Sequence, residues 1–222
     1  MVAPNKQEQA QATYTYPDHR SKGYRIAKRT LDIVLSVIGI VLTLIPMLLI
    51  ALLIRLESPG PSIYLHHRVG KNGKLLPLVK FRSMYRNADD MIQHFTPEQK
   101  AEWEANFKLD YDPRVTKVGR LLRRTSLDEL PQLLNVLSGD LSLVGPRPIV
   151  EKELEKYGDQ KAKFLSVTPG LTGYWQAYAR SACSYEERIE MELRYVDEAN
   201  FWWDIKILFA TIGAVIKGNG AK

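Results

Sequence analysis

Cys183 is the only thiol among 222 residues, so the chain can form no intrachain disulfide and no multi-cysteine zinc site. That shortage fits a reducing compartment, with the lone cysteine inert. Histidine is also scarce: only His19, His66, His67 and His94 occur. The adjacent pair would project to opposite faces of a strand and so could not easily chelate one metal. The chain has no G-x-x-x-x-G-K-[ST], no G-x-G-x-x-G and no G-x-S-x-G, which removes support for nucleoside triphosphate hydrolysis, dinucleotide binding and serine-hydrolase chemistry. No repeat period appears, and 14 glycines with 12 prolines are an ordinary share, so solenoid and collagen-like folds drop out. Acidic residues are the minority, 25 against 31 basic, for a net charge of +6. Such a balance suits anionic partners: nucleic acid, phosphorylated metabolites or acidic membrane surfaces.

Apolar runs are short with one exception. Leu31 to Ile54 holds 24 residues whose single ionisable side chain is Asp32. As a straight helix the run would be about 36 Å long, enough for the ~30 Å hydrocarbon core of a bilayer. A cleaved signal peptide fits poorly, because Arg55, Leu56, Glu57, Ser58 and Pro59 follow the run in place of a small-residue cleavage site. Pro46 interrupts it near the middle and favours a kink. Basic residues flank both ends, Lys22, Arg25, Lys28 and Arg29 before it and Arg55, His66, His67 and Arg68 after it, so the positive-inside rule names no orientation. A helix that enters, bends at Pro46 and returns would leave both basic clusters on one face. This re-entrant form is the expectation, with a tilted span that tolerates the proline as the alternative.

Residues 1–24 read as a disordered polar tail, 25–55 as the membrane helix kinked near Pro46, and 56–222 as the remaining domain. Ser62 to Arg68 and Leu75 to Phe81 predict two strands joined around Gly70-Lys71-Asn72-Gly73. Thr96 and Gln99 make a capping-box signature for a helix to about Leu109, and Ser184 with Glu187 opens another through about Asn200. Phe201 to Lys217 mixes Trp202 and Trp203 with Asp204 and Lys206. It suits either a helix in the headgroup region or a buried terminal core helix.

Chemistry concentrates between Asp112 and Leu134. Arg114, Lys117, Arg120, Arg123 and Arg124 precede the adjacent carboxylates Asp128 and Glu129. Leu130, Leu133, Leu134 and Leu137 then recur at helical spacing, predicting an amphipathic helix that stops near Gly139 with the carboxylates in its first turn. A structural explanation is available: Ser126 and Glu129 spell a capping box, and acidic residues complement a helix N-terminus. Gly145-Pro146-Arg147-Pro148 supplies a second element suited to phosphate, since two prolines limit the entropy that Arg147 loses when it grips an oxyanion. Together these residues suggest phosphoryl chemistry at a membrane surface.

The chain resembles the bacterial sugar transferases, the monotopic polyprenyl-phosphate phosphoglycosyl transferases, over about residues 25–217. The resemblance runs through Lys28-Arg29-Thr30-Leu31-Asp32, Ser58-Pro59-Gly60-Pro61, Lys80-Phe81-Arg82-Ser83-Met84 and the Asp112 to Leu134 block. It continues through Gly139-Asp140, Val144 to Pro148, Pro169-Gly170-Leu171-Thr172-Gly173 and Asp204-Ile205-Lys206. The resemblance implies transfer of a sugar 1-phosphate from a nucleoside diphosphate sugar, usually a UDP sugar, to undecaprenyl phosphate. It implies catalysis by Asp128 and Glu129 with Mg²⁺, with the aspartate as nucleophile. Arg147 matches the position associated with donor binding, Arg123 and Lys80 match further basic positions expected to contact phosphate, and Arg180, counted with them as substrate-binding, falls near a family arginine in the less characteristic stretch Gln176-Ala177-Tyr178-Ala179-Arg180. The implied fold is α+β and mostly helical: a re-entrant membrane helix, then a cytoplasmic catalytic domain with a short β-hairpin and amphipathic interfacial helices. The implied location is the bacterial inner membrane, the domain facing the cytoplasm, in the minimal catalytic form of the family and open to homo-oligomer formation. One departure stands out: Ile45 precedes Pro46 where serine is frequent, leaving Thr43 as the nearest hydroxyl.

A ping-pong route through Asp128 suits the charges, because it never holds the donor diphosphate and the acceptor phosphate together. Two rival readings stay open at this point: a glycosyltransferase or phosphatase using the same dyad, and a non-enzymatic basic membrane adaptor. Nucleic acid is not expected as a partner, since the aromatics cluster in the apolar C-terminal segment and not among the arginines.

Overall fold

The computed structural model describes residues 16–106, 109, 111–179 and 183–216. The chain begins with α1 (Lys22–Glu57), β1 (Ile63–Val69), β2 (Leu75–Phe81), α2 (Ala88–Met91), α3 (Pro97–Asn106) and α4 (Lys117–Thr125). It continues with α5 (Leu133–Ser138), β3 (Ser142–Val144), α6 (Glu151–Leu154), α7 (Lys161–Leu165), β4 (Gly170–Thr172), α8 (Tyr174–Tyr178), α9 (Tyr185–Glu198) and α10 (Phe201–Ile216). The expected hairpin is present as β1 and β2, which pair with each other. Two short strands, β3 and β4, were not expected.

The 36 residues of α1 form one helix with Pro46 inside it. Ser21 Oγ opens the helix by accepting from the Tyr24 N–H at 3.1 Å. The helix is long and apolar enough to cross a membrane. Its aliphatic side chains are largely left outside the packed protein, with Leu42 73% and Ile45 70% exposed. Near Pro46, the Thr43 hydroxyl lies 3.5 Å from Met47 Sδ.

Two compact units divide the described residues, the first comprising 16–42, 65–79 and 132–216. Its main core gathers Leu76, Leu78, Val136, Leu141, Val144, Tyr195 and Ile207. A second core joins Ile149, Leu154, Tyr157, Phe164 and Leu165. β3 and β4 pair in parallel, Ser142 opposite Gly170 and Val144 opposite Thr172, with α6 and α7 in the crossover between them. Asn135 substitutes for a neighbouring strand along β2: its side-chain carbonyl accepts from Val79 N–H and its amide donates to Pro77 O, both at 2.9 Å.

Charges near the start of α1 fasten that helix to this unit. Lys28 Nζ reaches Val144 O at 2.8 Å and Asp204 Oδ2 at 3.0 Å. The Asp204 carboxylate also accepts from Tyr24 and Tyr195, so a carboxylate only 1% exposed has its full set of partners. Asp32 accepts from Leu143 N–H at 2.9 Å, and Arg29 donates to Val136 O and Leu137 O, both at 2.7 Å, at the C-terminal end of α5. The two expectations for the C-terminal segment fall on opposite faces of α10. Asp204 and Ile207 are buried, whereas Trp202, Phe209 and Ile212 face outward.

The second unit comprises 43–64 and 80–131 among the described residues. Ile54, Phe81 and Leu122 form its core, with Met47, Ile50, Val118, Leu127 and Leu130 packed around them. Glu57 caps α4 by accepting from Lys117 N–H at 2.7 Å and Val118 N–H at 3.0 Å. Gly119 sits where a side chain would strike backbone, since an added Cβ would lie 2.0 Å from Ser83 O.

Asp112 accepts from Arg114 at both the backbone N–H and the guanidinium, at 3.0, 2.9 and 2.7 Å. That guanidinium stacks on Trp103 at 4.3 Å and Phe95 at 5.2 Å. Burial alone would raise the Asp112 pKa, but the hydrogen bonds and charge of Arg114 outweigh it and hold the carboxyl below its usual 3.8. The unfolded chain therefore binds this proton more tightly than the folded one, so the contribution to stability is full above 3.8 and lost as pH falls through the lower folded value. Asp112→Asn should cost about 2 kcal/mol in urea unfolding at pH 7. The gap from the parent should close below pH 3.8, and a gap that persists there would remove the ion pair as its cause.

Candidate active site

The acidic pair occupies a different local structure from the one its spacing predicts. α4 ends at Thr125, and Ser126 closes it in the left-handed region, φ 58°, with its N–H on Arg123 O and Leu122 O. A tight 3-10 segment, Leu127–Gln132, carries Asp128, Glu129 and Pro131 before α5 begins at Leu133. The Ser126–Glu129 capping box is therefore corrected: Ser126 terminates the preceding helix instead of starting the next. The Glu129 N–H bonds the Ser126 backbone carbonyl at 3.2 Å. The Glu129 carboxylate accepts from Lys80 Nζ at 2.6 Å. Leucine periodicity misled here because Leu127 and Leu130 pack inward from a 3-10 turn as they would from an α-helix.

The second unit thus brings together four of the six expected site residues. Lys80 projects from the end of β2 to Glu129. Arg123, from the last turn of α4, donates through Nε to Ser83 Oγ at 2.9 Å. The Asp128 carboxyl is pushed above the usual aspartate range, first by burial and then by the neighbouring Glu129 charge, while Lys80 and Arg123 act in the opposite direction. The two cations offset only part of what burial and the Glu129 charge do to this carboxyl. A carboxylate in that condition favours an incoming cation or an electrophile.

Sequence reasoning assigned no role to Ser83 or Arg82, although both belong to the Lys80 to Met84 motif. Ser83 steadies Arg123. Arg82 donates to Ser58 O at 2.7 Å and Pro59 O at 2.8 Å, which pins the loop after α1. Gly60 in that loop has φ 119° and lies so close that an added Cβ would be 2.7 Å from Arg82 Nη1. The motif and the Ser58 to Pro61 segment explain each other.

Arg147 belongs to the first unit, between β3 and α6. Its backbone N–H donates to Glu192 Oε1 at 3.2 Å, and its guanidinium carbon sits 5.8 Å from the centre of the Trp175 ring. Among the described residues, no carboxylate pairs with that guanidinium. Arg180 lies outside the described residues. Nothing in the spacing of α9 singled out Glu192, although it is 2% exposed.

Among the described residues, no group of three or more histidine, cysteine or acidic side chains could hold a metal by itself. Two adjacent carboxylates nevertheless match the habit of Mg²⁺, which takes one or two carboxylates and completes its shell with water and substrate phosphate.

A family model described as bacterial sugar transferase matches residues 23–218. Undecaprenyl-phosphate galactose phosphotransferase of Salmonella typhimurium is 48% identical over 201 residues, 89% of this chain and 42% of that protein. UDP-glucose:undecaprenyl-phosphate glucose-1-phosphate transferase of Escherichia coli is 41% identical over 85% of this chain and 40% of its own length. The chain thus spans less than half of both relatives. Exopolysaccharide production protein ExoY of Rhizobium meliloti is 41% identical over 199 residues, 88% of each chain.

Proposed function

The chain belongs to the bacterial sugar transferase family, and from that membership we propose that it transfers a sugar 1-phosphate from a nucleoside diphosphate sugar to undecaprenyl phosphate. The observation that carries this reading is the acidic pair. Asp128 is half-buried beside Glu129 with Lys80 and Arg123 acting on its charge, and Glu129 is engaged by Lys80 instead of capping a helix.

In the first half-reaction an Asp128 carboxylate oxygen bonds to the sugar-bearing phosphorus. The bond from that phosphorus to the bridging oxygen breaks, and the nucleoside monophosphate leaves with the electron pair. In the second, an oxygen of undecaprenyl phosphate bonds to the same phosphorus and displaces Asp128, giving a diphosphate-linked lipid sugar. Lys80 fixes Glu129 and adds positive charge beside Asp128, while Arg123, steadied by Ser83, offers a second cation to phosphate oxygens. Arg147 would hold the donor diphosphate with a guanidinium that no carboxylate among the described residues pairs with. Asp128 and Glu129 would hold Mg²⁺, which when bound offsets charge on the departing phosphate. The donor is a UDP sugar on this reading, and α1 re-enters the inner membrane so that the enzyme meets its lipid from the cytoplasmic side.

Incubation with a UDP-sugar panel, undecaprenyl phosphate and Mg²⁺ should put label into the lipid extract. Donor alone should add one phosphosugar to the intact mass. Release of free sugar 1-phosphate with no lipid product would replace transferase with hydrolase. A strict need for both substrates before nucleotide release would end the covalent route.

A further inference from the structure

The Arg147 charge stays available because a buried carboxylate close by is committed elsewhere. Glu192, on α9, lies within reach of the Pro146-Arg147-Pro148 turn but meets only its backbone: Oε1 accepts from the Arg147 N–H at 3.2 Å. The same carboxylate accepts from the Tyr157 hydroxyl and from Arg188 Nε, the latter at 3.4 Å. Arg188 is itself 8% exposed and donates to Glu153 at 3.4 Å. Its guanidinium lies over Trp175 at 4.5 Å, the ring that also flanks Arg147. Arg188 therefore takes up the Glu192 charge and Trp175 supports both guanidinium groups, while no carboxylate among the described residues pairs with the Arg147 guanidinium. An acid placed against the Arg147 side chain would have neutralised the group that an anion needs.

We propose that Glu192 is a positioning residue for donor binding, fixing the Arg147 turn through its backbone N–H while spending its charge on Arg188. This rests on the reading of Arg147 as the donor-phosphate arginine. Glu192 touches no substrate and acts through Arg147 alone.

The test is steady-state kinetics of the full chain in lipid nanodiscs, with the UDP sugar varied at saturating undecaprenyl phosphate. Glu192→Ala should raise the donor KM about tenfold, with kcat within about twofold and the acceptor KM unmoved. A residue that merely supports packing would lower kcat through a smaller active fraction and leave the donor KM alone, and that outcome overturns the proposal. Arg147→Ala should raise the donor KM, and adding Glu192→Ala to it should change little more, since the second residue works through the first. Additive effects in the double variant would also overturn it. If Glu192→Ala does not fold, Glu192→Asp decides: the shorter side chain withdraws the carboxylate oxygen that accepts from the Arg147 N–H, and from Arg188 with it, so the donor KM should rise again. An unchanged KM there refutes the inference while Arg147→Ala still reports on the parent reading. An unchanged donor KM in Arg147→Ala removes the parent reading, and the inference falls with it.

Discussion

Asp128→Asn should lower lipid-linked product by on the order of ten-thousandfold, the scale seen when a covalent nucleophile is removed. The variant should also fail to gain mass with donor alone. Loss of activity by itself would not separate chemistry from folding, but the environment of Asp128 does. Burial and the Glu129 charge raise its folded pKa above the usual 3.8. The folded chain therefore holds this proton more tightly than the unfolded chain, and stability falls as pH rises through the interval between those two values. At pH 7 the ionised carboxylate is a cost to the fold, one that an uncharged asparagine of the same shape does not carry. In the presence of chelator, Asp128→Asn should melt at or above the parent at pH 7, and the difference should shrink toward zero below pH 3.8. A variant that is dead and melts well below the parent would assign Asp128 to the fold. A variant that charges the lipid at parental speed would remove the proposed chemistry altogether.

What the sequence revealed, and what it hid, follows from how local each signal is. The hairpin was legible because its turn residues and two seven-residue strands lie within one stretch of chain. The Ser184–Glu187 box was legible for the same reason and forms as expected, with reciprocal bonds of 3.1 and 2.7 Å at the start of α9. β3 and β4 have three residues each, too few to show alternation, and β3 is buried throughout. Their pairing spans a crossover that no local pattern announces. Ser126 adopts a left-handed backbone without being glycine or asparagine, so its role as a helix stop was invisible and its resemblance to an N-cap misled. Lys28 and Asp204 form a buried pair across 176 residues of sequence. Such pairs are written in the fold, and only a motif shared with relatives flagged them beforehand. Arg147 carried a local signal in its two prolines, while Glu192, which holds its backbone, looked like any other acid in an amphipathic helix.

The glycines around the Arg147 turn lead to the second large effect. Gly170→Ala should destabilise the fold by about 4 kcal/mol, among the larger costs of a single substitution. β4 runs against the Gly145 backbone: Gly145 N–H donates to Thr172 O at 2.9 Å, and Gly170 N–H donates to Pro146 O at 2.8 Å. A Cβ on Gly170 would stand 2.1 Å from Gly145 N and 2.3 Å from Thr172 O. These are main-chain atoms, so no rotamer change can relieve the overlap. β4 would have to move away, giving up both hydrogen bonds at the base of the Pro146-Arg147-Pro148 turn. For a chain of this size the melting temperature should fall by roughly 10 °C. Gly213→Ala is the matching control: it lies within α10 with nothing within 4 Å of the added methyl group. It should be neutral or stabilise by about 0.5–1 kcal/mol, because alanine restricts the unfolded chain and suits a helix. Equal stability of the two variants would show that the strand-to-turn contact does not govern the fold, and a destabilised Gly213→Ala beside an unaffected Gly170→Ala would reverse the packing argument.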